Sequence, residues 1–415
     1  MLWRRNKLVL WRAVESARER TVAAGEWLRR TVFSILSCAL WLGATGLGQI
    51  ANREVTIAIS PEIPLIEHRD HEMRLNFDLA VTNHARSTWR LTEIELSVFD
   101  SADRLVMRKT VNSDGLAPGV EVVAPPLLKP DATVDVFNPF YELSDEIPLH
   151  HLHYSFRYLR EDNDQERAKN RHRLPIDYDL QAEITVIPRD YQPRTNLILP
   201  LAGRIFIWEG HDFYAHHRRV PLHAENVRKL CIHANANRYG SDLVIVDEQG
   251  RMYHDDPYNK KNWYTYGAPI YAPGEGKVTA SANHVPDNEF QGKDISTPPL
   301  PSDADPDLGN YVLIDHGNGE FSIFPHMMAG SVRVKPRDSV RQGEMIGQVG
   351  FSGDAIFPHV HYSLLAGPDI YRSESLPAYF TQFRRLLGSK SVSIELGSID
   401  SGDTVESAAK YEAKP

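Results

Sequence analysis

Between residues 54 and 190 apolar and polar positions alternate. Leu75, Phe77, Leu79 and Val81 are separated by Asn76, Asp78 and Ala80, and Ile94, Leu96 and Val98 by Glu95 and Ser97. Leu152, Tyr154, Phe156 and Tyr158 alternate in the same way with His153, Ser155 and Arg157. A period of two is that of a half-buried strand, because successive side chains leave an extended chain on opposite faces. The turn formers "TNHARS" and "DSADR" separate the first strands, and "ITVIP" closes the series. The pattern predicts a β-sandwich of about seven strands, of the Ig-like class, over residues 54–188. The charged run 160–173, "REDNDQERAKNRHR", has mixed signs and reads as a solvated hairpin tip.

"PRDYQPRTN", residues 188–196, combines two prolines with turn formers and marks the boundary to a second domain, residues 196–385. Here "DLVIVD", "APIYAPGEGKV", "GNYVLIDHGNGEFSIF", "SVRVKPRDSV" and "EMIGQVG" predict short strands punctuated by glycine and proline, so the class expected for the chain is all-β. Residues 284–308 form a polar, proline-rich insertion that either shapes a cleft or is mobile. Residues 386–415 turn small, polar and charged, and are expected to be disordered.

The N-terminus departs from this pattern. Residues 31–51, "TVFSILSCALWLGATGLGQIA", hold no charged residue and are long enough to cross a hydrocarbon core as a helix. Residues 1–30 are basic, carrying +5 of a chain whose formal charge is −9, so the remainder carries −14. Arginine on one flank only predicts a cytoplasmic basic segment, a transmembrane anchor or a signal over 31–51, and a single-pass membrane protein with its C-terminal bulk in the periplasm or outside the cell. The acidic remainder argues against nucleic acid as a partner. Beyond the apolar segment the only cysteine is Cys231, which reads as a small core residue. Oligomeric state leaves no mark on the sequence.

The candidate chemistry lies in the second domain. In "FPHVHYSLL" an extended chain sends His359 and His361 to one face and Val360 and Tyr362 to the other. Asp242 opens the strand "DLVIVD", His326 follows the strand in "SIFPHMM", and five further histidines, His211, His216, His217, His223 and His233, crowd the stretch before Asp242. A carboxylate with imidazoles, one position left open for water, is the ligand chemistry of a catalytic zinc site.

Residues from about 230 to 366 resemble the lysostaphin/LytM-type zinc metalloendopeptidases. The resemblance rests on "YGAPIYAPGEGKV", "GNYVLIDHGNGEFSIFPHMM", "VRQGEMIGQVG" and "FSGDAIFPHVHYSL", in that order. It implies a compact LytM-type β-domain of the duplicated hybrid motif kind, a Zn2+ cofactor, peptidoglycan stem or cross-bridge peptides as substrate, Asp242 and His361 as metal ligands, and His326 and His359 as catalytic residues. The family's usual first ligand is a histidine four residues before the aspartate, and that position is Arg238. Were the strand to extend so far, Arg238 and Asp242 would share a face. The third ligand is expected upstream, at His217 in preference to His233 or His216. Arg238 also supports an alternative, a catalytically impaired domain that binds wall peptide or regulates another hydrolase. "VRQGEMIGQVG" resembles a lipoyl or biotinyl carrier hairpin as well, but the turn Arg341-Gln342-Gly343-Glu344 lacks the lysine that carriers modify.

Overall fold

The computed structural model describes residues 54–412, apart from 70, 114, 116, 171, 172 and 174–176. The basic segment 1–30 and the apolar segment 31–51 lie outside the described residues. The expected single-pass membrane localisation is overturned: no helix among the described residues is long and apolar enough to cross a membrane. The α-helices there, Asp164–Asn170 and Glu225–Lys229, have seven and five residues, against the roughly 20 a span requires.

The alternating stretches form strands as their period demands. Trp89–Phe99 and His151–Arg160 pair antiparallel along nearly their whole length, flanked by Leu105–Asn112 and Leu180–Val186. Asp78–Asn83 lies between Val55–Ser60 and Thr133–Phe137 in a separate sheet. Leu79, Val81, Ile94, Leu96, Tyr154 and Phe156 fill the core between them. The expected Ig-like class is not confirmed, because these two sheets do not stand alone. A third sheet peels away, with the hairpin Leu65–Arg69 and Glu72–Leu75 joined by Glu142–Ser144 and Arg189–Asp190. The charged run at 160–173 contains the helix Asp164–Asn170, which buries none of its residues; its acids sit in the first turn and its bases in the last, as the helix dipole favours.

The boundary segment is firmly held. Glu320, wholly buried, accepts hydrogen bonds from the Tyr191 hydroxyl (2.9 Å), the Thr195 hydroxyl (2.6 Å) and the Arg194 amide (3.2 Å). Beyond it the strands Gly276–Ala282, Asn310–Asp315, Phe321–Met327, Val360–Leu365, Ser241–Ile245 and Arg204–Glu209 follow one another across an eleven-stranded sheet. Leu243, Ile314, Phe324, Ile346, Tyr362 and Phe380 belong to the second core.

The sheet continues into the segment expected to be disordered. Thr404–Ser407 pairs with both Arg204–Glu209 and Phe383–Leu387, and Lys390–Ile394 pairs with Phe383–Leu387. Composition misleads here because few apolar anchors suffice. Ile399 and Val405 are fully buried, and the Tyr411 hydroxyl donates to the carbonyls of Leu199 (2.8 Å) and Leu201 (2.7 Å). The insertion 284–308 is ordered too, as the hairpin Glu289–Gln291 and Asp294–Ser296. Its buried Asn288 donates to the carbonyl of Gly353 (2.9 Å), and Leu308 accepts from the amide of His326 (2.9 Å).

Candidate metal and catalytic site

Three neighbouring strands build the site. In antiparallel register Glu209 of the 204–209 strand lies opposite Asp242, and Asp242 lies opposite His361 of the 360–365 strand. Directly opposed residues are about 4.5–5.5 Å apart at Cβ, so a row of side chains on one face converges without any long reach. His361 Nδ1 is 3.0 Å from Asp242 Oδ1, and His359 Nε2 is 3.4 Å from the same oxygen. His217 enters from the connection between the 204–209 and 241–245 strands. Its Nε2 is 3.9 Å from Asp242 Oδ2 and its ring stands edge-on to that of His361, with centroids 4.6 Å apart.

His326 comes from the 321–327 strand at a register shift and has φ of +62°. A left-handed residue in a strand is costly and re-aims its side chain. The ring is thereby turned towards His359 and His361, at centroid distances of 5.4 and 6.1 Å. His326 Nδ1 donates to the Ser352 carbonyl (3.0 Å), and His359 Nδ1 donates to the Phe357 carbonyl (2.8 Å), so each ring offers its Nε2 to the site. His217, Asp242, His326, His359 and His361 are all buried, none more than 8% exposed.

The donor atoms of His217, Asp242 and His361 lie within 4.8 Å of one another. Around a tetrahedral ion with bonds of about 2.0–2.1 Å, neighbouring ligand atoms sit roughly 3.4 Å apart. Separations of 3.0 and 3.9 Å from Asp242 bracket that value, and two imidazoles with one carboxylate are a donor set suited to zinc. Electrostatics favour the ligand forms. Burial opposes ionisation of Asp242, yet the facing His359 and His217 and hydrogen bonds from His359 and His361 outweigh it, holding the carboxyl well below the usual carboxylate range. Burial, opposed by Asp242 and reinforced by His361, pushes His217 down to about 4, so the ring is neutral. Burial likewise holds His326 well below its ordinary value, with His359 and His361 adding to the effect. In His359 the same burial is outweighed by the Asp242 charge and hydrogen bond, and its pKa is raised.

The other sequence candidates fall outside this cluster. His216 stacks near His217 but is exposed and turns its Nδ1 to Glu209. His233 is exposed and engages Tyr371 only through its backbone amide (2.8 Å). Cys231, expected in a core, is exposed, because it lies just past Leu230, the cap of the short 225–229 helix, in a turn with φ of +58°. Arg238 does not share a face with Asp242. The strand begins only at Ser241, and the turn before it sends Arg238 the other way, where Nη1 reaches Asp78 (2.6 Å) and Nε reaches Glu374 (3.1 Å). His316, held between the Glu275 carbonyl and the Ser322 hydroxyl (2.7 Å each), is structural.

Four contributors carry no motif of their own in the sequence. Ser363 Oγ lies 3.1 Å from His361 Nε2, which leaves Nδ1 as the ligand atom, and its position two residues along the same strand was a usable signal. Glu209 accepts from the amide of His217 (2.6 Å), and Asn235 Nδ2 donates to the carbonyl of His217 (3.0 Å). Neither spacing carries a signal of its own. Gly240 is required by close approach, since a Cβ there would stand 3.0 Å from Ser363 Oγ and 3.2 Å from His361 Cε1.

Comparison with known proteins agrees with the strand motifs. Residues 263–370 match the model of Peptidase family M23, a span that contains His326, His359 and His361 but neither Asp242 nor His217. The peptidoglycan DD-endopeptidase ShyA of Vibrio cholerae is 31% identical over 99 residues, covering 24% of this chain and 18% of that one. The DD-carboxypeptidase/endopeptidase Mpg of Neisseria meningitidis is 43% identical over 96 residues, covering 23% and 17%. The match thus spans less than a fifth of the length of either relative. Among solved structures, the catalytic domain of a prophage-encoded M23 protein, EnpA, from Enterococcus faecalis is 23% identical and covers 31% of this chain and 85% of its own, with a TM-score of 0.20. The ordered motifs and the family match lead to one conclusion, that this mostly β chain carries a LytM-type domain of Peptidase family M23.

Proposed function

We propose that the chain is a zinc-dependent endopeptidase that hydrolyses peptide bonds in cell-wall peptidoglycan, with His217, Asp242 and His361 as ligands and His326 and His359 as catalytic residues. The observation that carries this reading is the convergence of two imidazoles and one carboxylate, all buried, beside two further imidazoles whose Nε2 atoms are free of backbone partners. The names of the two relatives, a DD-endopeptidase and a DD-carboxypeptidase/endopeptidase, supply the substrate class. Bound zinc would lower the pKa of a water molecule and polarise the scissile carbonyl. The chain's own part is acid–base work. His326, kept neutral by burial, accepts the proton of the attacking water at Nε2, and His359 donates a hydrogen bond to the oxyanion and passes a proton to the leaving amine.

Metal analysis and an assay for amino groups released from purified sacculi test both halves. The full chain is expected to hold about one zinc and to release new amino groups. His361→Ala and His217→Ala are expected to lose the metal and the activity, whereas His233→Ala keeps both. Full activity in His361→Ala would sink the reading. Zinc retained without hydrolysis would favour the catalytically impaired domain.

A further inference from the structure

The N-terminal sheets reach the site through a buried ionic junction. Arg218, the residue after His217, is completely enclosed: Nη1 donates to Asp78 Oδ1 (2.6 Å), Nε to Asn76 Oδ1 (2.9 Å) and Nη2 to the Phe77 carbonyl (2.9 Å). The second carboxylate oxygen of Asp78 takes Arg238 Nη1 (2.6 Å), and Arg238 is equally enclosed. Between these two arginines sits Asn235, whose side chain donates to the carbonyls of His217 (3.0 Å) and Arg218 (3.3 Å). One carboxylate on the 78–83 strand therefore anchors both backbone segments that grip His217.

We propose that Asp78 is a positioning residue for the metal ligand His217, acting through Arg218 and Arg238, so that the N-terminal sheets are a working part of the site. The inference rests on the zinc reading above. An enclosed guanidinium has no water to turn to, and removing its counter-ion leaves a buried charge that the chain must move to relieve. The segment that would move is the one carrying His217. The other two ligands come from paired strands of the large sheet. Loosening of groups behind a ligand typically costs 10–100-fold in metal affinity.

The test uses the full chain, zinc affinity by competition with a chromophoric chelator, and the visible absorption of the cobalt-substituted protein. Asp78→Asn removes the charge at nearly constant shape and is expected to weaken zinc binding about 10–100-fold and to shift the cobalt bands, with the far-UV circular dichroism unchanged. Tyr191→Phe deletes a contact between the same two parts of the molecule far from His217 and is expected to leave affinity and spectrum as in the wild type. Wild-type affinity and cobalt spectrum in a folded Asp78→Asn chain would overturn the proposal. Should that variant not fold, Arg218→Lys keeps the charge but not the three-way fork and is read in the same way, unchanged affinity again being the refutation. A wild-type chain that takes up no zinc would instead remove the metal reading. Positioning is then decided by amide exchange over residues 211–224 of the metal-free chain, expected about tenfold faster in Asp78→Asn, with equal rates overturning it.

Discussion

At the scale of single residues, the site is sorted by which nitrogen of each imidazole is already engaged. His361 spends Nε2 on Ser363 and keeps Nδ1 for Asp242 and an ion, while His326 and His359 spend Nδ1 on carbonyls. Ser363→Ala frees His361 to adopt the other tautomer. The expected outcome is a zinc affinity lower by about tenfold, at the mild end of the effect of losing a group behind a ligand, with no change in thermal stability beyond about 1 kcal/mol. Isothermal titration with zinc and a thermal melt check the two halves separately. His359 and His361 were readable from the sequence because alternation in a strand is a local rule. No such local rule stands behind the preference for His217 over His233, since the path of the connection between the 204–209 and 241–245 strands is decided by contacts to residues more than a hundred positions away, Asn76 and Asp78 among them.

At the scale of elements, misreadings trace to where strands begin and end. Alternation extended backwards through "RYGSD" would put Arg238 on the strand of Asp242, but the turn at residues 235–240 interrupts it. The composition of the C-terminal segment predicts disorder, although the single buried valine of the 404–407 strand helps seat that strand between its two neighbours. Val405→Ala removes two methyl groups from the second core. It is expected to cost about 2 kcal/mol, from ~0.8 kcal/mol per buried carbon plus the cavity left behind, read from the denaturant midpoint at constant slope. The connection that carries His217 has its own pH-sensitive tie. His223 Nδ1 lies 2.6 Å from Asp135 Oδ1, and that hydrogen bond, opposed by burial and aided by the Asp135 charge, raises the pKa of the ring. A raised folded-state pKa contributes stability that is complete below the unfolded value of about 6.5 and is lost as pH climbs through the folded value. The melting temperature of the wild type is therefore expected to fall relative to His223→Gln between about pH 6 and 8. A constant difference across that range would refute the tie.

At the scale of the whole molecule, the two largest hydrophobic cores are joined by charge as well as by apolar contacts such as the stack of Tyr141 on Phe213. Asp78 and Glu374 face Arg218 and Arg238 in one place, and Arg69 bridges Glu67 and Asp400 in another. Such pairs contribute little over hydrophobic packing when complete, and cost much when half is removed. Burial decides how much. Arg238 is fully enclosed, so Arg238→Leu leaves Asp78 Oδ2 and Glu374 Oε2 without their guanidinium partner and is expected to cost about 3–5 kcal/mol. His68 and Asp190 form a pair 50% and 63% exposed, and His68→Ala is expected to change stability by less than about 1 kcal/mol. Because the enclosed junction belongs to both cores, the wild-type chain should unfold in a single calorimetric transition, with Arg238→Leu separating it into two as each core melts on its own. A wild-type chain that already melts in two steps would mean that the junction does not couple them, and that His217 is held from the large sheet alone.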